Sequence, residues 1–193
     1  MLFDVDRLAP LNTAHGYALG NRILERIGIV MGRYFREHDW VGRWSDDTFV
    51  VLLPETAPAH AELLAERVRG MFEDRLALLD YRTEERMPVT VSVAVVLAES
   101  VDRTLTPARL VSQAEDAVGR AKQAGRNRVE RVDVSAPYFS LLGAARHVGV
   151  TPDELLKLVR AGRLAATDGE RDLRFERGAV EALRQARATA AMP

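Results

Sequence analysis

Hydrophobic spacing along this chain switches between a strand period and a helix period, and the switches mark its elements. Met1 to Asp6 is an apolar run closed by Asp4 and Asp6, which predicts the end of a buried strand reaching a functional edge. From about Gly16 to Glu37, Leu19, Ile23, Ile27, Val30 and Phe35 recur at helical spacing, predicting a helix. Trp40 to Trp44 and Phe49 to Leu53 are β-like runs flanking Ser45, Asp46 and Asp47, the pattern of a tight hairpin. A second helix is predicted over about Ala57 to Leu79, with Leu63, Leu64, Val68 and Phe72 as its apolar face. Met87 to Leu97 alternates and is rich in Val and Thr, as a half-covered strand should be.

Thr106 and Pro107 open a third predicted helix, a cap followed by proline at the first position, running to Gln123 before Gly125. Arg126 to Val132 reads as the closing strand. This order of elements predicts an α+β fold with a mainly antiparallel sheet covered by helices, in the ferredoxin-like or polymerase-palm manner. Residues 133–138, with Ser135-Ala136-Pro137, are the expected linker. Beyond it, Leu141 to Val148 and Thr151 to Val159 predict two short helices around a Gly149 turn. A hairpin containing Gly169 and a helix from about Glu176 complete a small second domain over 139–193.

Composition narrows the setting. The chain has 193 residues, no cysteine, and 27 basic against 28 acidic side chains, which excludes disulfides, thiolate metal sites and a whole-chain attraction to nucleic acid. With no apolar run of the roughly 18 residues a membrane span needs, the expectation is a cytoplasmic protein with no membrane partner. His15 and His38 show no metal-ligand spacing and are read as surface or packing residues.

If their strands are neighbours, Asp4 and Asp6 at a strand end and Asp47 at the hairpin tip converge, and carboxylates there suit a hard cation bridging phosphates. The wider pattern is more specific. Asp4-Val5-Asp6-Arg7-Leu8, Leu11-Asn12, Gly16 and Gly20, Arg43 to Phe49, and Ala121-Lys122 with Gly125-Arg126-Asn127 occur in order. Over residues 1–132 they resemble the GGDEF family of diguanylate cyclases. That resemblance implies binding of GTP with Mg²⁺ by a head-to-head homodimer and formation of cyclic di-GMP. It implies Asp4 and Asp47 as metal ligands, Asn12 and the Asn21 position as guanine contacts, and Lys122 and Arg126 as phosphate contacts.

The sequence departs from the family pattern at the signature, which reads Ser45, Asp46, Asp47, Thr48, Phe49. Two glycines are replaced by residues with side chains, and a glutamate by Thr48. Ala9, Thr13 and Asn21 replace a lysine and two aspartates. Losses of about 2–4 kcal/mol per missing contact would remove most catalytic advantage, so the expectation is a domain that is not an enzyme. The family also has a helix, a turn segment and the start of the central strand before Asp4, so the domain is expected to be shortened at its N-terminus.

Arg36 and Asp39 stand five residues or more before the signature, in register with the family's product-binding Arg-x-x-Asp pair, and Arg67 matches an additional arginine. An arginine fork with a carboxylate suits guanine, so the expected ligand is cyclic di-GMP. The other reading is local: Asp39 caps the next strand and Arg36 is a solvated helix end.

Phe139 to Pro152, with Leu155, Val159, Arg160, Gly162 and Leu164, resembles the helix-turn-helix of the MerR and excisionase group. That implies a winged module whose Lys157, Arg160, Arg171 and Arg174 touch double-stranded DNA. From Asp133 onward nine basic residues face eight acidic ones, which keeps a regulatory-protein partner open. Taken together, the sequence predicts a cyclic di-GMP-responsive, catalytically inactive, DNA-binding regulator. The alternatives are a GTP-binding or residually active diguanylate cyclase, and a protein-interaction adaptor.

Overall fold

The computed structural model describes residues 1–76, 89–98, 105–168 and 173–190, together with the backbone of 78–79 and 86–87. Two compact units form, one from Met1–Leu97 with Thr106–Asp133, and one that takes in Val134–Pro193.

In the first unit a five-stranded sheet runs in the order β2-β3-β1-β6-β7. Strand β1 (Leu2–Val5) lies at its centre and is buried along its whole length, which explains its unbroken apolar run. Strands β2 (Trp40–Arg43) and β3 (Thr48–Leu52) are the expected hairpin, and β3 pairs antiparallel with β1. Strand β6 (Val91–Leu97) pairs antiparallel with β1 but parallel with β7 (Val129–Asp133). The sheet is therefore mixed, because a helix carries the chain from β6 to β7 and returns it in the same direction.

Helix α1 (Leu8–His15) was not predicted; Gly16, at φ +84°, separates it from α2 (Tyr17–Tyr34). Helix α2 buries Ile23 and Ile27 of the amphipathic signal read in the sequence, with Leu24 and Met31 beside them. Helix α3 (Pro58–Arg75) stops short of Leu79, since Leu78–Leu79 forms a short strand, β4, paired with β5 (Arg86–Met87). Its buried face is Ala61, Ala65, Val68 and Phe72, whereas Leu63 is 58% exposed. Helix α4 (Pro107–Gln123) begins as expected, with Thr106 Oγ1 accepting from the Arg109 N–H at 3.2 Å.

Strand alternation divides this unit into two cores. Phe3, Val5, Val91, Val93 and Val95 pack with the buried residues of α2 and α3. Leu2 and Ala94, one residue out of phase, pack with Ala114, Ala117 and Val118 of α4. Asp4 shares the phase of Leu2, so its side chain faces the α4 layer rather than the larger core. Each fully buried Phe or Ile contributes about 1.5–3 kcal/mol of transfer free energy.

In the second unit, β8 (Tyr138–Ser140), β10 (Leu173–Glu176) and β9 (Thr167–Asp168) form an antiparallel sheet in that order. Helices α5 (Leu141–Val148) and α6 (Pro152–Arg160) flank Gly149, whose left-handed φ of +75° lets the chain turn at once. Thr151 and Glu154 cap α6 reciprocally. Helix α7 (Arg177–Ala190) follows β10. Phe139, Ala144, Val148, Leu155, Phe175 and Val180 form this unit's core, so the chain expected to be linker up to residue 138 already enters a strand.

Candidate functional site

Antiparallel pairing places Asp4 opposite Thr48, and the Val5 N–H donates to the Asp47 carbonyl at 2.9 Å. The hairpin tip therefore lies against the end of β1, as the sequence required for the two carboxylates to meet. Both Trp44 and Ser45 donate their N–H groups to the Thr48 carbonyl, and the Arg43 guanidinium binds the carbonyls of Ser45 (3.1 Å) and Asp46. Neither Ser45 nor Asp46 has a positive φ. The backbone of the turn as it stands therefore needs no glycine.

Asp4 is 7% exposed. Its Oδ1 lies 2.7 Å from Lys122 Nζ in the last turn of α4, and its Oδ2 accepts from Thr48 Oγ1 at 3.3 Å. Burial raises its pKa above the ordinary aspartate value; Lys122 opposes that shift, and the nearby Asp47 carboxylate adds to it. Thr48 Oγ1 also reaches Asp47 Oδ1 at 3.3 Å. A divalent cation would relieve the burden on Asp4, and Mg²⁺ needs only one or two carboxylates when phosphates complete its shell. Asp4 and Asp47 fit that requirement, while no cluster of three acidic or histidine ligands exists among the described residues.

Asn12, on α1, directs a buried Oδ1 with no hydrogen-bond partner toward α2. It rests on Gly20, where a β-carbon would fall 1.9 Å from that oxygen. Asn21, next along α2, is exposed. Arg126 is exposed just past α4, in a left-handed conformation with φ +67°. The structure thus gathers Asp4, Asp47, Thr48 and Lys122 around one carboxylate and pairs Asn12 with Gly20. Asp6, which the sequence placed with Asp4 at the strand end, is 8% exposed and instead accepts from Ser92, Thr90 and Asn127. The Asp-x-Asp alternation was the signal that grouped them, because residues two apart on a strand share a face.

A separate cavity of about 300 Å³ is lined by Arg36, Asp39 and Arg67, with Tyr34, His60 and Thr56 and an apolar floor of Leu53, Leu63 and Leu64. Exposure of Leu63 follows from that role. Asp39 Oδ2 accepts from the Arg36 N–H at 2.8 Å, closing a local turn, while its buried Oδ1 has no hydrogen-bond partner. The local reading of Asp39 accounts for one oxygen, and the other is available to a ligand donor.

In the second unit Lys157 and Arg160 are exposed on α6 and Arg174 is exposed on β10. Arg171 lies outside the described residues. Glu154 is held below the usual glutamate range by the Thr151 N–H and hydroxyl, which accounts for one of the two acidic groups at the start of α6.

A mixed sheet with carboxylates at the end of its central strand defines a nucleotide-cyclase-like class of fold. The family model for the diguanylate cyclase GGDEF domain matches residues 1–128, and the chain belongs to that family. Diguanylate cyclase A of Treponema denticola is 30% identical over 130 residues, 67% of this chain and 33% of that protein. Among solved structures, diguanylate cyclase SiaD of Pseudomonas aeruginosa, in complex with its activator SiaC, is 32% identical with a TM-score of 0.60, covering 68% of this chain and 48% of that one. The GGDEF domain of DgcB from Caulobacter crescentus, in complex with c-di-GMP, has a TM-score of 0.59 at 22% identity over 67% of this chain and 74% of that one, and shows the shared fold.

These findings correct the expectation that the chain is not an enzyme: its relatives are named diguanylate cyclases, and membership of their family points to enzymatic activity. The segment matched to Diguanylate cyclase A spans about a third of that relative's length. No described helix is long and apolar enough to cross a membrane.

Proposed function

We propose that the first unit binds GTP with Mg²⁺ and acts as a diguanylate cyclase with residual activity, joining two GTP molecules to cyclic di-GMP and two pyrophosphates. The supporting observation is the buried Asp4 carboxylate, held between Lys122 and the Asp47 hairpin tip with its pKa raised. Asp4 and Asp47 would hold the cation, which supplies charge neutralisation to the phosphates. Lys122 and Arg126 would face the phosphates, and the free Oδ1 of Asn12 would accept from guanine. Thr48 contributes a hydroxyl where a carboxylate would activate the attacking oxygen, so turnover is slow. Because two nucleotides must meet head to head, the working form is a homodimer.

In the same reading, cyclic di-GMP occupies the cavity at Arg36, Asp39 and Arg67, where the free Asp39 oxygen matches guanine N–H donors. Titration with the magnesium complex of a non-hydrolysable GTP analogue tests the first part. Wild type should bind, and Asp47→Ala and Lys122→Ala should each weaken binding at least tenfold. Equal affinity in all three proteins would overturn the assignment.

For the second unit, the short α5-Gly149-α6 connection and the exposed Lys157, Arg160 and Arg174 support duplex binding in a winged helix-turn-helix manner. If so, each of these residues changed to Ala should lower the salt slope of binding by about one unit. A mobility-shift titration in low salt that shows no complex would rule this out and leave a protein partner for the unit.

A further inference from the structure

Asp6 is a buried carboxylate that the nucleotide site does not use. Both of its oxygens are committed: Oδ1 accepts from Ser92 Oγ at 2.7 Å, and Oδ2 accepts from Thr90 Oγ1 at 2.8 Å and from the Asn127 N–H at 3.1 Å. Unlike Asp4, it is held by hydroxyl and backbone donors rather than by a lysine. Its contacts join the end of β1 to the turn that carries Arg126, 121 residues away in sequence from Asp6 to Asn127.

That turn needs holding. Arg126 and Asn127 are successive non-glycine residues with positive φ, +67° and +45°, a conformation that a β-carbon disfavours. Asn127 is fixed a second time, through its side chain, by Arg69 of α3, whose Nη1 donates to Asn127 Oδ1 at 2.7 Å. Arg69 is itself anchored by Glu66 at 2.8 Å and Glu73 at 2.9 Å, and these carboxylates raise its pKa further. Asn127 also hydrogen-bonds Glu73, helping Arg69 hold that carboxyl below the usual glutamate range. The Arg126 N–H bonds the Ala121 carbonyl at 2.9 Å, so the backbone on both sides of the Arg126 α-carbon is tied down. The Arg126 side chain is the exposed product of this scaffold.

We propose that Asp6, Asn127 and Arg69 form a clamp of positioning residues that fixes the left-handed turn and so sets the pose of Arg126 toward nucleotide phosphate. The phosphate role of Arg126 rests on the proposed function; the clamp rests on the contacts above. In this proposal each of the three acts through Arg126 rather than on the nucleotide itself. Preorganising a cation in this way matters most for a highly charged ligand, because an arginine that must first be ordered loses part of its binding energy to that ordering.

Two measurements on the full chain test the clamp. Hydrogen exchange over residues 122–130 should accelerate at least tenfold in Arg69→Ala and in Asp6→Asn, with exchange in α2 unchanged. Arg69→Ala removes a side chain on a helix surface, so it keeps the test decisive if Asp6→Asn does not fold. Titration with the magnesium complex of a non-hydrolysable GTP analogue should show Arg69→Ala weakening binding about threefold to tenfold when Arg126 is present, and less than about twofold when Arg126 is Ala. Unchanged exchange in Arg69→Ala overturns the clamp, as does an equal loss of affinity in both backgrounds. If wild type binds no analogue, the GTP reading fails on its own, and the exchange measurement alone decides the clamp.

Discussion

Lys122 Nζ stands 2.7 Å from Asp4 Oδ1, joining the last turn of α4 to the central strand at the point where the hairpin tip arrives. The contact only partly offsets the burial of Asp4, because desolvation and the Asp47 charge still leave its pKa raised. A site that holds a carboxylate against its own preference is prepared for a cation, and the protein carries that cost in stability.

The sign of this cost gives a pH test. A raised folded-state pKa means that Asp4 favours folding fully below its ordinary value near 3.9, and that this contribution is lost as pH rises through the folded value. Asp4→Asn should therefore raise Tm at pH 7. The difference should shrink as pH falls toward 4, in thermal melts without Mg²⁺. Added Mg²⁺ should stabilise wild type but not the variant. A variant less stable at pH 7 would contradict the account.

Gly20→Ala places a β-carbon where Asn12 Oδ1 now lies. Asn12 must move or α2 must shift, and a destabilisation of about 1–3 kcal/mol is expected by chemical denaturation. Asn12→Ala should recover most of it, because the clash is with that side chain. Failure of this rescue would show that Gly20 serves another neighbour.

Thr48→Glu introduces a carboxylate beside Asp4 and Asp47 at the start of β3. If turnover is limited by the missing base, the variant should form cyclic di-GMP at least tenfold faster than wild type, with steeper Mg²⁺ dependence. Chromatographic quantification of product from GTP measures it. An unchanged or lower rate would mean that Thr48 is not what limits the reaction.

In the cavity, Arg36→Ala removes a guanidinium but leaves its backbone N–H to hold Asp39 Oδ2, so the local turn survives. Calorimetry should show cyclic di-GMP binding weakened at least tenfold by Arg36→Ala and by Arg67→Ala, with Tm nearly unchanged. Binding that is insensitive to both would place the ligand elsewhere.

Much of the fold was legible because single elements carried their own signal. The hairpin at 40–53 was readable from two apolar runs around a polar triplet, and α4 from Thr106, Pro107 and the glycine after it. Helix α1 was not readable, since Leu8 is its only buried residue and leaves no periodic stripe. The face of α3 was read correctly at Val68 and Phe72, but alanines 61 and 65 share the packing while Leu63 lines a cavity.

Of the candidate site, the meeting of Asp4 with the Asp47 hairpin tip was legible, but the physics of the turn was not. Whether Ser45 and Asp46 strain the turn depends on φ, which residue names do not give, and both turned out unstrained. The parallel pairing of β6 with β7, and the contact of Asp6 with Asn127, join residues far apart in sequence, where local patterns are silent.

The most direct measurement is GTP turnover by the purified chain with Mg²⁺, read as cyclic di-GMP by chromatography against an Asp47→Ala control. The account predicts slow product formation by wild type and none above blank by Asp47→Ala. Absence of product from wild type at saturating GTP and Mg²⁺, or equal product from both proteins, would contradict it.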